Sequence, residues 1–129
     1  MENLYIKATN DSCEVDFRYS ENQLTISGEA FPEDANRFFY PIFMWLVEYL
    51  KTPIADPVNF NFKLTYFNSA STKMLFNIFQ LLNNYSANHQ LVILNWYYDE
   101  DDDNIKDFGD DVAEDFPSLE FNPVVTSIA

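Results

Sequence analysis

Residues 58–79 read VNFNFKLTYFNSASTKMLFNIF, and the two halves follow different periods. From Val58 to Tyr66 every second residue is apolar: Val58, Phe60, Phe62, Leu64 and Tyr66. That is the alternation of a strand with one buried face. Phe67 adds an apolar residue to the opposite face at the end. From about Ser71 to Tyr85 the apolar residues Met74, Leu75, Ile78, Phe79 and Leu82 fall three or four apart, the stripe of an amphipathic helix. Between the two lie Asn68, Ser69, Ala70, Ser71 and Thr72, a run rich in small hydroxyl residues.

The same alternation of periods continues on both sides. Upstream, Cys13, Val15, Phe17 and Tyr19 share one face, Leu24 and Ile26 continue the pattern, and Ser20-Glu21-Asn22 lies between them; this predicts a β-hairpin. Leu4, Tyr5 and Ile6 suggest a short strand before it. Pro32-Glu33-Asp34 suits a helix start, and Phe38, Ile42, Trp45, Leu46 and Tyr49 give a helical stripe up to Thr52-Pro53. Pro41 falls inside that stripe and predicts a kink or a partly separate first turn. Downstream, Leu91 to Tyr98 reads as a buried strand. A third helix is expected over Asn104 to Phe116, carrying Ile105, Phe108 and Val112, and a closing strand would use Leu119, Phe121, Val124 and Val125. Strands separated by helices require crossovers and parallel pairing. The expectation is therefore a single α/β domain over residues 1–129. Its mixed sheet opens with an antiparallel hairpin, and later, mostly parallel strands alternate with about three helices.

Bulk properties narrow the function. The chain has 129 residues, 47% of them hydrophobic, and a formal charge of −14, which repels phosphate backbones and anionic lipid. Nucleic acid and membrane surfaces are thus poor partners, and a basic protein surface is a better one. The most apolar stretch, Phe38 to Leu50, is too short to span a bilayer. One cysteine, Cys13, and a start without a basic, then apolar, leader fit a cytoplasmic protein. Only Gly28 and Gly109 are glycines, so there is no phosphate-binding glycine loop and no dinucleotide fingerprint. One cysteine and one histidine, His89, do not make a zinc site. No catalytic residues, metal ligands or cofactor are expected. The clusters Phe38-Phe39-Tyr40 and Trp96-Tyr97-Tyr98 read as core and sheet-end packing.

Two polar runs remain. Asp99-Glu100-Asp101-Asp102-Asp103 is a solvated loop opening the third helix, or alternatively the oxygen-rich site of a small ligand- or divalent-cation-binding domain. Asn68, Ser69 and Ser71 are each competent helix caps, which is reason enough for a polar turn. An exposed hydroxyl there is also well placed to carry a phosphate, whose charge meets the free amides of the helix start. Lys73, one turn on, would partly neutralise it.

The stretches SGEAFPEDANRFF at 27–39, LTYFNSASTKMLFNIFQLL at 64–82 and VILNWYYDEDDDNIKDFGDDVAEDF at 92–116 resemble the SiaC-type regulatory phosphoproteins. These are bacterial relatives in fold of the STAS-domain anti-sigma factor antagonists. The resemblance implies a non-enzymatic partner switch with Ser69, directly after Asn68, as phosphoacceptor. It also implies a cognate Ser/Thr protein kinase with a histidine-kinase-like ATPase fold, a PP2C-type phosphatase, and an effector, such as a diguanylate cyclase, bound by the unmodified form. The expected partner surface is the turn Asn68, Ser69, Ala70, Ser71, Thr72 and Lys73 with Asn77 and Gln80 on the same helix, extended by the start of the first helix.

Overall fold

The computed structural model describes residues 1–126. The elements follow in the order β1 (Leu4–Ile6), β2 (Glu14–Arg18), β3 (Gln23–Ala30), α1 (Ala35–Leu50), β4 (Val58–Phe67), α2 (Ser69–Asn88), β5 (Val92–Asp99), α3 (Asp103–Asp115) and β6 (Glu120–Thr126). Spatial order equals chain order, β1-β2-β3-β4-β5-β6. β1, β2 and β3 pair antiparallel, and β3 to β6 pair parallel, so the expected mixed α/β sheet is the one found. The hairpin closes through a 3-10 turn over Tyr19–Glu21 and a left-handed Asn22 (φ 53°), whose Oδ1 accepts from Tyr49 Oη at 2.7 Å.

Three crossovers of one hand between sequential parallel strands bring all three helices to one face of the sheet. Burial agrees. Val15, Phe17, Leu24, Ile26, Val58, Phe60, Phe62, Leu64, Val92, Leu94 and Trp96 are buried on the covered face. The opposite face stays partly open and carries a polar ladder: Asn61 Nδ2 donates to Gln23 Oε1 and Thr25 Oγ1, Asn95 Nδ2 to Asn59 Oδ1 and Asn61 Oδ1, and Asn122 Nδ2 to Asn95 Oδ1. The side-chain amides satisfy one another across four strands.

Trp96 centres the core. Its ring stacks on Phe62 at 3.8 Å and 5°, and its Nε1 donates to the Ile105 carbonyl at 3.0 Å. Trp45, half-buried, stacks on Tyr49 and donates to the Glu2 carbonyl at 2.9 Å. Cys13 is fully buried. Burial pushes its thiol up to about 12, so it is a protonated core side chain and not a nucleophile.

Three local expectations change. α1 runs unbroken from Ala35 to Leu50 across Pro41, without a separate first turn. Pro41 lies on the exposed side, where water can satisfy the carbonyl that loses its partner. Phe39, not Phe38, is the fully buried member of its stripe. In β4 the register slips between Gly28 and Glu29: Gly28 pairs with Leu64 and Glu29 with Tyr66, leaving Thr65 as an extra residue. A bulge of one residue inverts the side-chain alternation beyond it. Tyr66 therefore points out, 52% exposed, and Phe67 turns in against Phe62 and Phe108.

Candidate functional site

The turn between β4 and α2 is built by Asn68. Its amide donates to the Ala30 carbonyl at 3.1 Å, which ties the turn to β3. Its Oδ1 accepts from Ser71 N at 2.9 Å, and its carbonyl accepts from Thr72 N and Thr72 Oγ1. Asn68 is thus the cap, and α2 starts two residues earlier than the apolar stripe alone suggests. Ser69 becomes the first helical residue, exposed and without a capping duty. Asn68→Ala should cost about 1 kcal/mol, whereas Ser69→Ala should stay within about 0.5 kcal/mol. Thermal denaturation of the two variants checks this; equal losses would mean that Ser69 shares the cap.

Four residues separate Ser69, Lys73 and Asn77, and Gln80 follows three later. All four are exposed on one side of α2. Ala70 is exposed, Thr72 half-buried. Ser71 differs: it is 0% exposed and its Oγ has no partner. Its spacing to Leu75, Ile78 and Leu82 places it at the head of the buried stripe, so it supports the turn from beneath and offers a partner no surface. Although the chain holds 21 acids, the twenty residues of α2 include none, and one lysine. With the first-turn amides of Ser69 and Ala70 lacking intrahelical partners, the start of α2 carries the positive end of its helix dipole.

A groove of about 1060 Å³ runs between the starts of α1 and α2, lined by Ile6, Glu33, Asp34, Arg37, Phe38, Pro41, Ala70 and Lys73 among others. Asp34 caps α1, its Oδ1 accepting from Arg37 N at 3.0 Å. The start of α1 belongs to the surface expected from the sequence, but Arg37 itself was not legible there, because only the fold brings its side of α1 opposite α2.

Within the acid run Asp102 is the cap of α3. Asp102 Oδ1 accepts from Ile105 N at 3.0 Å and Asp99 Oδ1 from Asp101 N at 2.8 Å, while α3 begins at Asp103. Among the described residues no three His, Cys, Asp or Glu side chains converge to hold a metal ion. His89 stacks on Tyr85 at the exposed end of α2, and the neighbouring Ser86 Oγ donates to the Ser118 carbonyl and accepts from Val92 N.

A model of the SiaC family regulatory phosphoproteins matches residues 6–126. An uncharacterised protein of Pseudomonas aeruginosa (strain UCBPP-PA14) is 25% identical over 118 residues, 89% of this chain and 90% of the relative. Among solved structures, SiaC of Pseudomonas aeruginosa superposes with a TM-score of 0.84 at 22% identity, over 99% of this chain and 100% of that one. SiaC as it occurs in complex with the diguanylate cyclase SiaD, whose activator it is, gives 0.85 at 22% identity, over 97% and 99%. At that identity the superpositions speak for the shared fold, and the family match rests on nearly the whole sequence. This chain belongs to the SiaC family of regulatory phosphoproteins.

Proposed function

We propose that this chain is a non-enzymatic partner switch controlled by one phosphate on Ser69. The observation that carries the reading is an exposed hydroxyl on the first turn of a long helix without a single acid, in a chain of net charge −14. Nowhere else in α2 would added negative charge meet free amides and a lysine together. A Ser/Thr protein kinase adds the phosphate and a PP2C-type phosphatase removes it. The unmodified form binds an effector, for which a diguanylate cyclase is the reading favoured by the complex of the P. aeruginosa relative. The docking surface is the turn Asn68 to Lys73 together with Asn77 and Gln80, with Ser71 acting only as its buried support. These partners act in the cytoplasm, and no helix among the described residues is long and apolar enough to cross a membrane.

Intact-mass measurement and peptide mapping of protein purified from its own host test the site. A single phosphate on Ser69, lost on treatment with a metal-dependent phosphatase, is the expected result. A phosphate found only on Thr72, or none under any growth condition, overturns it.

A further inference from the structure

Among the described residues the ion pairs join Arg18 to Asp16 and Glu21, Lys51 to Glu48, and Lys106 to Asp110. Lys63 lies over the Tyr97 ring, 4.6 Å from its centroid. Of the seven basic residues, Arg37 and Lys73 are therefore among the few with neither kind of partner, although acids outnumber bases threefold. Both line the same groove, Arg37 from the first turn of α1 and Lys73 from the second turn of α2. Ser69 precedes Lys73 by four residues and so lies one turn above it on the same stripe. Its neighbour Ala70 is itself a lining residue.

We infer that Arg37 and Lys73 are the two arms of a clamp that receives the phosphate on Ser69 and draws the starts of α1 and α2 together across the groove. The inference rests on the reading of Ser69 as phosphoacceptor and adds its receptor. A phosphate offers three acceptor oxygens, a guanidinium binds two of them as a planar fork, and an ammonium adds a point charge. Glu33 and Asp34 line the groove as well and oppose the phosphate. Asp34 is held at the α1 start by its bond from Arg37 N, while neither acid is ion-paired to Arg37 or Lys73, whose donors are free to turn to a new acceptor. The clamped phosphate would then occupy the groove as well as charging the helix end.

Phosphoserine installed at position 69 during translation gives the test, read by phosphorus NMR over a pH titration. The second ionisation of a phosphoserine lies near pH 6; nearby cations favour the dianion and move the midpoint down. Arg37→Gln should raise the midpoint by about half a pH unit, Lys73→Gln should also raise it, and Arg37→Lys should return most of the Arg37 contribution. Arg37 is exposed, so the variants are expected to melt with the parent. An unmoved midpoint in Arg37→Gln, with or without a shift in Lys73→Gln, overturns the two-helix clamp. That outcome is independent of the effector: cyclase binding that ignores the phosphate overturns the Ser69 reading instead.

Discussion

Gly109→Ala should destabilise the protein by about 2–3 kcal/mol and lower its melting temperature by roughly ten degrees. Two effects of opposite sign meet at this position. In an exposed helix, alanine is better than glycine by about 1 kcal/mol, and α3 would gain that. Gly109, however, is buried against Trp96. A Cβ built there lies 2.6 Å from Trp96 Cδ1 and 2.8 Å from Cε2, and closer still to Nε1. The ring has little room to yield, because Phe62 is stacked at 3.8 Å on it, Phe108 lies at 5.8 Å, and the indole N–H is held by the Ile105 carbonyl. Relief requires α3 to lift from β5, which strains that bond and loosens the Phe67–Phe108 and Phe76–Phe108 contacts. Urea unfolding at constant m-value measures the loss. A variant equal to or more stable than the parent would mean that helix propensity outweighs the close approach.

Gly109 also marks where sequence reasoning stops. As one residue in a helical period it reads as a small defect; its purpose depends on which strand residue faces it, and that is tertiary information. The bulge at Thr65 is similar. Strict alternation put Tyr66 with Leu64, and nothing local signals the extra residue, which is set by pairing to β3 around Gly28 at φ 98°. Element order and parallel pairing were legible because β3, β4, β5 and the three helices each keep their own period over eight or more residues, long enough to outweigh single exceptions such as Pro41.

The site was legible in its chemistry and less so in its geometry. The Asn-Ser-x-Ser-x-Lys run announces a helix start, yet three residues compete for one cap, and the Asn68 bond to Ala30 decides among them. Burial of Ser71 follows from its spacing to Leu75 and Ile78, a signal available in the sequence. The absence of acids from α2 was equally readable, as a contrast with the other 21. The start of α1 was legible as part of the surface, but Arg37 as the residue across the groove was not, because thirty-two positions and an intervening strand separate it from Ser69.

Phosphorylation of Ser69 should weaken binding to the diguanylate cyclase proposed as effector by about a hundredfold or more, while the melting temperature stays nearly unchanged. The asymmetry follows from what each state does with the charge. In the free protein the phosphate sits at the start of α2, where free amides and the cations of the adjoining groove, Arg37 and Lys73, stabilise it; helix-end charge contributes about 0.3–1 kcal/mol. Asn68 remains the cap, so the backbone has no reason to rearrange. In a complex that covers the turn, a dianion must give up water on every side not met by Arg37 and Lys73. An uncompensated loss of about 3 kcal/mol at the interface already corresponds to a hundredfold in Kd. Ser69→Asp carries one charge on a shorter arm and should fall between the two states, and Ser69→Ala should bind whether or not the kinase is present. Calorimetric titration of the cyclase with unmodified and phosphorylated protein decides the matter: equal affinities would mean that the partner settles elsewhere, and a large fall in melting temperature would mean that the phosphate acts by unfolding the turn and not by occupying it.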